Sequence, residues 1–215
     1  MTRSRRTLKP KLATEAWLKR GLLDFYLAFV NSELLNFRAF CLEQGIEKFC
    51  KAFLIATQGP QYEQLDSNAA SQWIEDFVRS LGHDLRRLLG LVSIGIERVR
   101  PYLEDSKFLD ILNRAYEEGR YPIPISKSIW SKHGFPALAN SDLDDRSLEL
   151  ATVLWDGISE YFQRRGSAIA IPLQHRIYDD VNEDDWKRFM NIWKMREKAA
   201  LSKYIELINS EPVKV

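Results

Sequence analysis

Sulfur and imidazole are scarce in this chain of 215 residues, which holds two cysteines, three histidines and three methionines. Cys41 and Cys50 are too few for a disulfide framework. On one predicted helix, nine residues apart, they lie about 180° from each other around the axis and cannot bridge. Neither has a CxxC partner, so reduced thiols of a cytosolic compartment are expected. The chain has no HExxH, no Cys/His cluster, no GxGxxG, no GxxxxGK[ST] and no GxSxG elbow. No metal and no cofactor is therefore expected. An excess of one charge is missing too, with 31 Lys plus Arg against 30 Asp plus Glu and a net charge of +1. That is not the strongly basic footprint of an obligate nucleic-acid coat. Finally, a long apolar run is lacking. The best window, Trp17–Leu35, contains Lys19, Arg20 and Asp24, too many charges for a bilayer span. The basic stretch Met1–Lys11 leads into no uncharged apolar segment and is not a secretory signal. A cytoplasmic protein without a membrane partner is expected.

What is present is the material of a globular core. Hydrophobic residues make up 45% and charged residues 28%, and a chain of this length buries roughly 70% of its unfolded surface. The charge is unevenly placed. Residues 1–20 hold seven bases and one acid, a net of +6, which leaves 24 bases and 29 acids, a net of −5, for the other 195 residues. The first twelve residues read as a basic arm. It is either a solvated terminus or a contact to phosphate, a membrane surface or an acidic partner.

Helical periodicity accounts for most of the rest. Trp17, Leu18, Gly21, Leu22, Phe25, Ala28 and Phe29 form a stripe that predicts a helix over about 14–31. Leu35, Ala39, Leu42, Ile46, Phe49, Cys50 and Phe53 predict a second, capped by Ser32 or Asn36 and ended by Gly59-Pro60. Their short join implies an antiparallel hairpin. Residues 58–68 read as a loop, and Trp73–Leu81 as a shorter helix closed by Gly82. One core-facing stripe then runs from Leu85 to Val99, near Pro101. Ser106 is placed to cap a helix with Gly119 just past its end. Pro122–Asn140 reads as an apolar loop packed on the bundle. A helix over 148–162 ends at Gly166, and Ala168–Ile171 is a short β-like patch. The last helix starts at Asn182, with Glu183, Asp184 and Asp185 on the positive end of its dipole. Its Trp186, Met190, Trp193, Glu197, Ala200, Tyr204 and Ile208 form a heptad-like seam that docks on the chain's own bundle or on a partner. The acids of this helix start, with Asp142, Asp144, Asp145, Asp179 and Asp180, read as loop and helix-start residues and not as a metal site. The expected fold is all-α: an antiparallel, up-and-down bundle over residues 13–125 with a C-terminal helical extension over 126–215.

Two stretches carry a resemblance. Residues 36–56 read NFRAFCLEQGIEKFCKAFLIA and residues 82–89 read GHDLRRLL. Phe40, Gln44, Glu47-Lys48 and Lys51-Ala52 stand in the order typical of the second helix of the HEPN family. His83-Asp84-Leu85 matches the family's step before its third long helix, and Arg120-Tyr121-Pro122 matches its Arg-Tyr-Pro turn. In these motifs residues 13–125 resemble a HEPN domain. The resemblance implies a homodimeric helical bundle that binds a nucleotide, RNA or a protein partner. Some such modules pair with a minimal nucleotidyltransferase or form part of a toxin–antitoxin system. Other members are metal-independent ribonucleases in which an Arg precedes a His by four to six intervening residues. In those, His moves protons while Arg stabilises the phosphorane. Here Arg79 precedes His83 with three between, and no arginine stands at that spacing before His133 or His175. The usual ribonuclease motif is absent, and a non-catalytic module is expected. A divergent ribonuclease using His83 with Arg79 or Arg120 is the alternative. A purely structural interaction protein using the 186–208 helix is a third.

On this reading Lys51, His83 and Arg120 are candidates for anion contact, and Phe37, Phe40, Gln44, Glu47 and Tyr121 for packing or a dimer contact. The residues themselves leave other roles open. Gln44, Glu47, Lys48 and Lys51 lie opposite the core stripe of their helix, where an ordinary solvent face with an i,i+4 Glu–Lys pair is expected. Phe37 and Phe40 share that side, however, and point to something covering it. His83 is placed either to cap the backbone or to work as an acid–base group. Arg120 is placed either to hold phosphate or to brace carbonyls.

Overall fold

The computed structural model describes residues 10–31, 35–59, 65–119, 141–169 and 182–193. Among them the fold is all-α, with no strand. Helix α1 spans Pro10–Val30 and α2 Leu35–Gln58. After them come α3 (Ser67–Leu81), α4 (Leu85–Val92), a 3₁₀ turn (Glu97–Val99), α5 (Arg100–Glu104) and α6 (Ser106–Gly119). Helix α7 spans Ser141–Gln163, and α8 covers 183–193. The arm at 1–9, Ser32, Arg120, Tyr121, the segment through Asn140 (with His133), most of the 168–178 stretch (with His175) and everything past Trp193 lie outside the described residues.

Helices α1 and α2 form the antiparallel hairpin, because early residues of α1 meet late residues of α2. Trp17 lies beside Lys51, Gly21 against Phe49, and Phe25 against Gly45. A Cβ on Gly21 would stand 2.6 Å from the Phe49 ring, and one on Gly45 would stand 2.6 Å from the Phe25 ring. Each glycine is therefore the socket for the other helix's phenylalanine. The two rings meet edge to face with centroids 5.5 Å apart, a geometry favoured by the ring quadrupoles.

Around this hairpin α2 is enclosed. Helices α1, α6, α7, α4 and α3 all pack on it, and every residue from Phe49 to Ala56 is buried. Helix α3 closes the end of the pair with a small cluster of Ala13, Ile55 and Ile74, flanked by the stacked Trp73 and Phe77. Helix α7 is tied to α2 by the Tyr161 hydroxyl, which donates to the Ala56 carbonyl at 2.9 Å. It is tied to its other neighbours by the ion pairs Arg98–Glu160 at 2.6 Å and Arg146–Asp105 at 2.8 Å. Helix α8 docks on the chain's own bundle through Trp186, Phe189, Met190 and Trp193, all buried. Trp186 meets Tyr26 of α1, and Trp193 packs among Phe25, Phe49 and Trp155.

Helix boundaries depart from expectation where capping chemistry competes with periodicity. Helix α1 begins at Pro10, inside the stretch read as the arm; proline suits the first helical turn. Asp66 accepts from Asn68 N and Ala69 N, so α3 starts at Ser67, well before Trp73. Asp105, and not Ser106, accepts from the Phe108 amide at 3.0 Å and caps α6, which runs to Gly119 instead of closing before it. The continuous helix expected from Leu85 to Val99 is broken after Val92. The Ser93 hydroxyl donates to the Gly90 carbonyl, and Pro101 opens α5 where it was expected to end a helix. At Asn182 the expectation holds: its side chain accepts from Asp184 N and Asp185 N at 2.9 and 3.1 Å.

The interlock at Gly21 and Gly45 sets apart two alanine substitutions. Gly45→Ala should destabilise by about 1–3 kcal/mol through overpacking against Phe25. Gly90→Ala in α4, where an added methyl meets nothing within 4 Å, should stabilise by up to about 1 kcal/mol. Urea unfolding followed by circular dichroism distinguishes the two signs.

Candidate functional site

The polar side of α2 is not a solvent face. Glu43, Glu47 and Lys51 are buried, because α1 covers one flank of that side and α6 with the α3–α4 connection covers the other. Phe37 and Phe40 belong to this covered side. Phe40 packs on Tyr116 of α6 with centroids 6.4 Å apart, and Phe37 packs on Phe40 at the same distance. A charge enclosed in this way is tolerated only with partners, and each has them.

Glu47 stands at the centre. Its Oε1 accepts from Lys51 Nζ at 2.7 Å, and its Oε2 lies 2.9 Å from His83 Nδ1. Gln44 Nε2 donates to the same Oε2 at 3.3 Å and to Glu43 Oε2 at 2.9 Å. Gln44 Oε1 accepts from Lys48 Nζ at 3.3 Å, and Lys48 in turn pairs with Asp24 of α1. A continuous polar chain therefore runs from Asp24 through α2 to His83. Lys51 is 3% exposed, with its ammonium 5.9 Å from the centre of the Trp17 ring. It is thus a part of the network, and no anion reaches it from solvent.

His83 owes its position to local sequence. Gly82 ends α3 with φ +69°, a left-handed conformation that favours glycine. Asp84 then caps α4, accepting from the Arg86 and Arg87 amides at 2.9 and 3.3 Å. The Leu85 amide donates to Asn113 of α6 at 3.2 Å, and the Leu85 side chain is fully buried. Capping thus falls to Asp84, and the imidazole is directed across to α2. It stacks on Tyr116, centroids 4.7 Å apart and planes 20° apart. With Nδ1 on the buried carboxylate and its side chain 53% exposed, the ring has Nε2 left for an external partner.

Of the other candidates, Arg79 lies on the open side of α3, 78% exposed and 3.6 Å from Asp76, and it does not join His83. Arg120 and Tyr121 are outside the described residues. Periodicity pointed to neither Asp24 nor Glu43 as a member of the network. Only Glu43 left a signal, in spacing alone: Glu43, Glu47 and Lys51 recur every four residues along one line of α2. Tyr116 was legible only as an apolar position of α6.

Burial, reinforced by the neighbouring Glu47 carboxylate, pushes Glu43 up to about 8, against the lowering effects of Gln44, Lys48 and Lys51. Its Oε1 has no hydrogen-bond partner, consistent with a carboxyl that keeps its proton. Asp24 is also raised by burial, which outweighs Lys48. Burial pushes Cys41 up to about 12 and Cys50 higher still, so both thiols are held in the unreactive form. Among the described residues no group of His, Cys, Asp and Glu is arranged to hold a metal ion, and no helix is long and apolar enough to cross a membrane.

The chain matches no protein-family model, no curated protein and no solved structure.

Two predictions follow from the network's burial. Lys51→Met should lower stability by about 3–5 kcal/mol, because it leaves Glu47 with an unbalanced buried charge. Adding Glu47→Gln should recover at least about 1 kcal/mol of that loss in a double-mutant cycle read by urea unfolding. For Glu43, the native state holds a proton that the unfolded chain releases above its ordinary pKa of 4.5. Its stabilisation is therefore complete below that value and declines as pH rises through about 8. The melting temperature should fall between pH 5.5 and 8.5, and Glu43→Gln should remove at least about 5 °C of that fall.

Proposed function

We propose that this protein is a HEPN-like, homodimeric helical-bundle module that binds the phosphate of a nucleotide or RNA at His83 without cleaving it. The motif order over residues 36–56 and 82–89 supports the family reading. One observation carries the site: His83, half-exposed, is held through Nδ1 by a buried glutamate and stacked on Tyr116. A ring oriented from two sides loses little freedom when Nε2–H meets an anion. Regulation of a partner, a nucleotidyltransferase or the other half of a toxin–antitoxin pair, is the role such binding would serve in the cytoplasm.

The same Glu–His arrangement is also that of a general acid–base pair, and this favours the divergent ribonuclease as the second reading. Against it stands Arg79, the arginine that the spacing offered, which is exposed and faces Asp76. The 186–208 helix as a partner contact has less support, because its described part is buried against α1 and α7.

Calorimetric titration of the full chain with AMP, ATP and a twelve-nucleotide RNA, without divalent metal, is the test. Saturable binding is expected, at least about tenfold weaker in His83→Ala. Intact RNA at the end of the titration is expected. If no probe binds the wild type, the proposal fails. RNA cleavage abolished by His83→Ala would replace it with the ribonuclease reading. Light scattering should give a dimer at micromolar concentrations, and a monomer would remove that part.

A further inference from the structure

We propose that the end of the bundle formed by the turn after α4 and the last turn of α7 docks on an anionic lipid surface, independently of His83. Attachment of this kind needs no membrane-crossing helix. The turn at Ser93–Gly95 carries Ile94, 85% exposed, between Val92 and Ile96, which are both buried. A Cβ on Gly95 would stand 2.7 Å from the Phe53 ring, and Ile96 fills the space left by Gly157 of α7. The chain is thus held inward on both sides of Ile94, and this side chain is directed out. Leu91, three residues earlier, is exposed as well.

A single exposed apolar residue is ordinary on a protein surface; here its setting is cationic. Segments 94–100 and 160–166 hold four arginines, Arg98, Arg100, Arg164 and Arg165, and two acids, Glu97 and Glu160. Contacts bring the two segments to one end of the molecule. Arg98 and Arg164 share the Glu160 carboxylate, at 2.6 and 3.5 Å, and Arg100 lies 3.5 Å from Glu97. Arg165 rests on the Tyr161 ring at 4.3 Å, and that ring meets Phe53, the neighbour of Gly95, with centroids 6.1 Å apart. Two carboxylates are thus spread among four guanidiniums, with Arg164 and Arg165 open to solvent.

The chemistry of the tip chooses the partner. A lipid surface takes a projecting aliphatic side chain into its acyl boundary, while its phosphates attract each nearby arginine. A nucleic acid would gain little from Ile94, which has no ring on which a base can stack. A protein partner would need about 800 Å² of matching surface. The exposed large apolar groups described on these elements are Leu91 and Ile94 alone.

The experiment is sedimentation of the full chain with vesicles of phosphatidylcholine alone and of phosphatidylcholine with phosphatidylglycerol, mixed about three to one. Association with the mixed vesicles is expected to be at least about tenfold tighter than with phosphatidylcholine alone, and weaker in high salt. Ile94→Ser, and separately Arg164→Gln with Arg165→Gln, should each weaken it about tenfold in a protein whose circular dichroism is unaltered. His83→Ala should sediment as the wild type does. No association of the wild type with the mixed vesicles, equal association with both kinds, or indifference to either substitution would overturn the proposal. So would loss of association in His83→Ala, which would place the lipid phosphates at that ring. Binding of a twelve-nucleotide RNA that the arginine pair weakens, with no vesicle association, would assign this end to nucleic acid instead.

Discussion

The enclosure of α2 is the constraint on which the rest of the structure depends. With α1 seated against it at Gly21 and Gly45, and α3, α4, α6 and α7 around the remainder, this helix has almost no wet side to which polar groups can turn. Its acids and lysines must therefore satisfy one another or a neighbouring helix. Close approach and polar pairing are consequences of one geometry. Two phenylalanine rings fit because two side chains are missing, and the helices packed around α2 leave Glu43 and Lys51 buried.

That enclosure also gives His83 its character. A histidine in a two-helix connection is ordinarily a mobile surface group, whose Nδ1 exchanges between water and backbone. Here the connection is pinned at both ends, by the left-handed Gly82 and by the Asp84 cap, while the ring is held by Glu47 and Tyr116. Glu47 in turn cannot rotate away, because its second oxygen is bound to Lys51. The residue that meets solvent is oriented by residues that do not. The end of the bundle at Ile94 is built the opposite way, with an apolar side chain held out because Val92 and Ile96 on either side of it are buried.

Much of the fold was legible in the residues. The apolar stripe of Trp17–Phe29 announced α1, Asn182 announced the start of α8, and Gly82 announced the end of α3. These signals are local, since a repeat or a cap acts within a turn or two of its own position. Failures arose where two local signals competed. The stripe from Leu85 to Val99 keeps its hydrophobic phase across the break at Ser93–Gly95, so periodicity alone could not reveal the break. The candidate site was legible only in part. Lys51, Glu47 and His83 were singled out, but Glu47 was read as a surface partner of Lys51 and not as the acid joining Lys51 to a histidine 36 residues away. Helical wheels carry no information about what lies opposite a face.

By itself the sequence determined an all-helical chain, two cysteines on one helix at a spacing that cannot bridge, and the order of polar residues along α2. Each follows from backbone hydrogen bonding and side-chain spacing within single helices. Only the tertiary structure decided that this polar order is an interior network ending at His83, and that Trp186–Trp193 closes onto Tyr26 and Phe25 of its own chain. The physical reason is that burial is a property of neighbours. The same glutamate is a solvated surface charge on an open helix and the organising group of the interior once α1 and α6 have covered it.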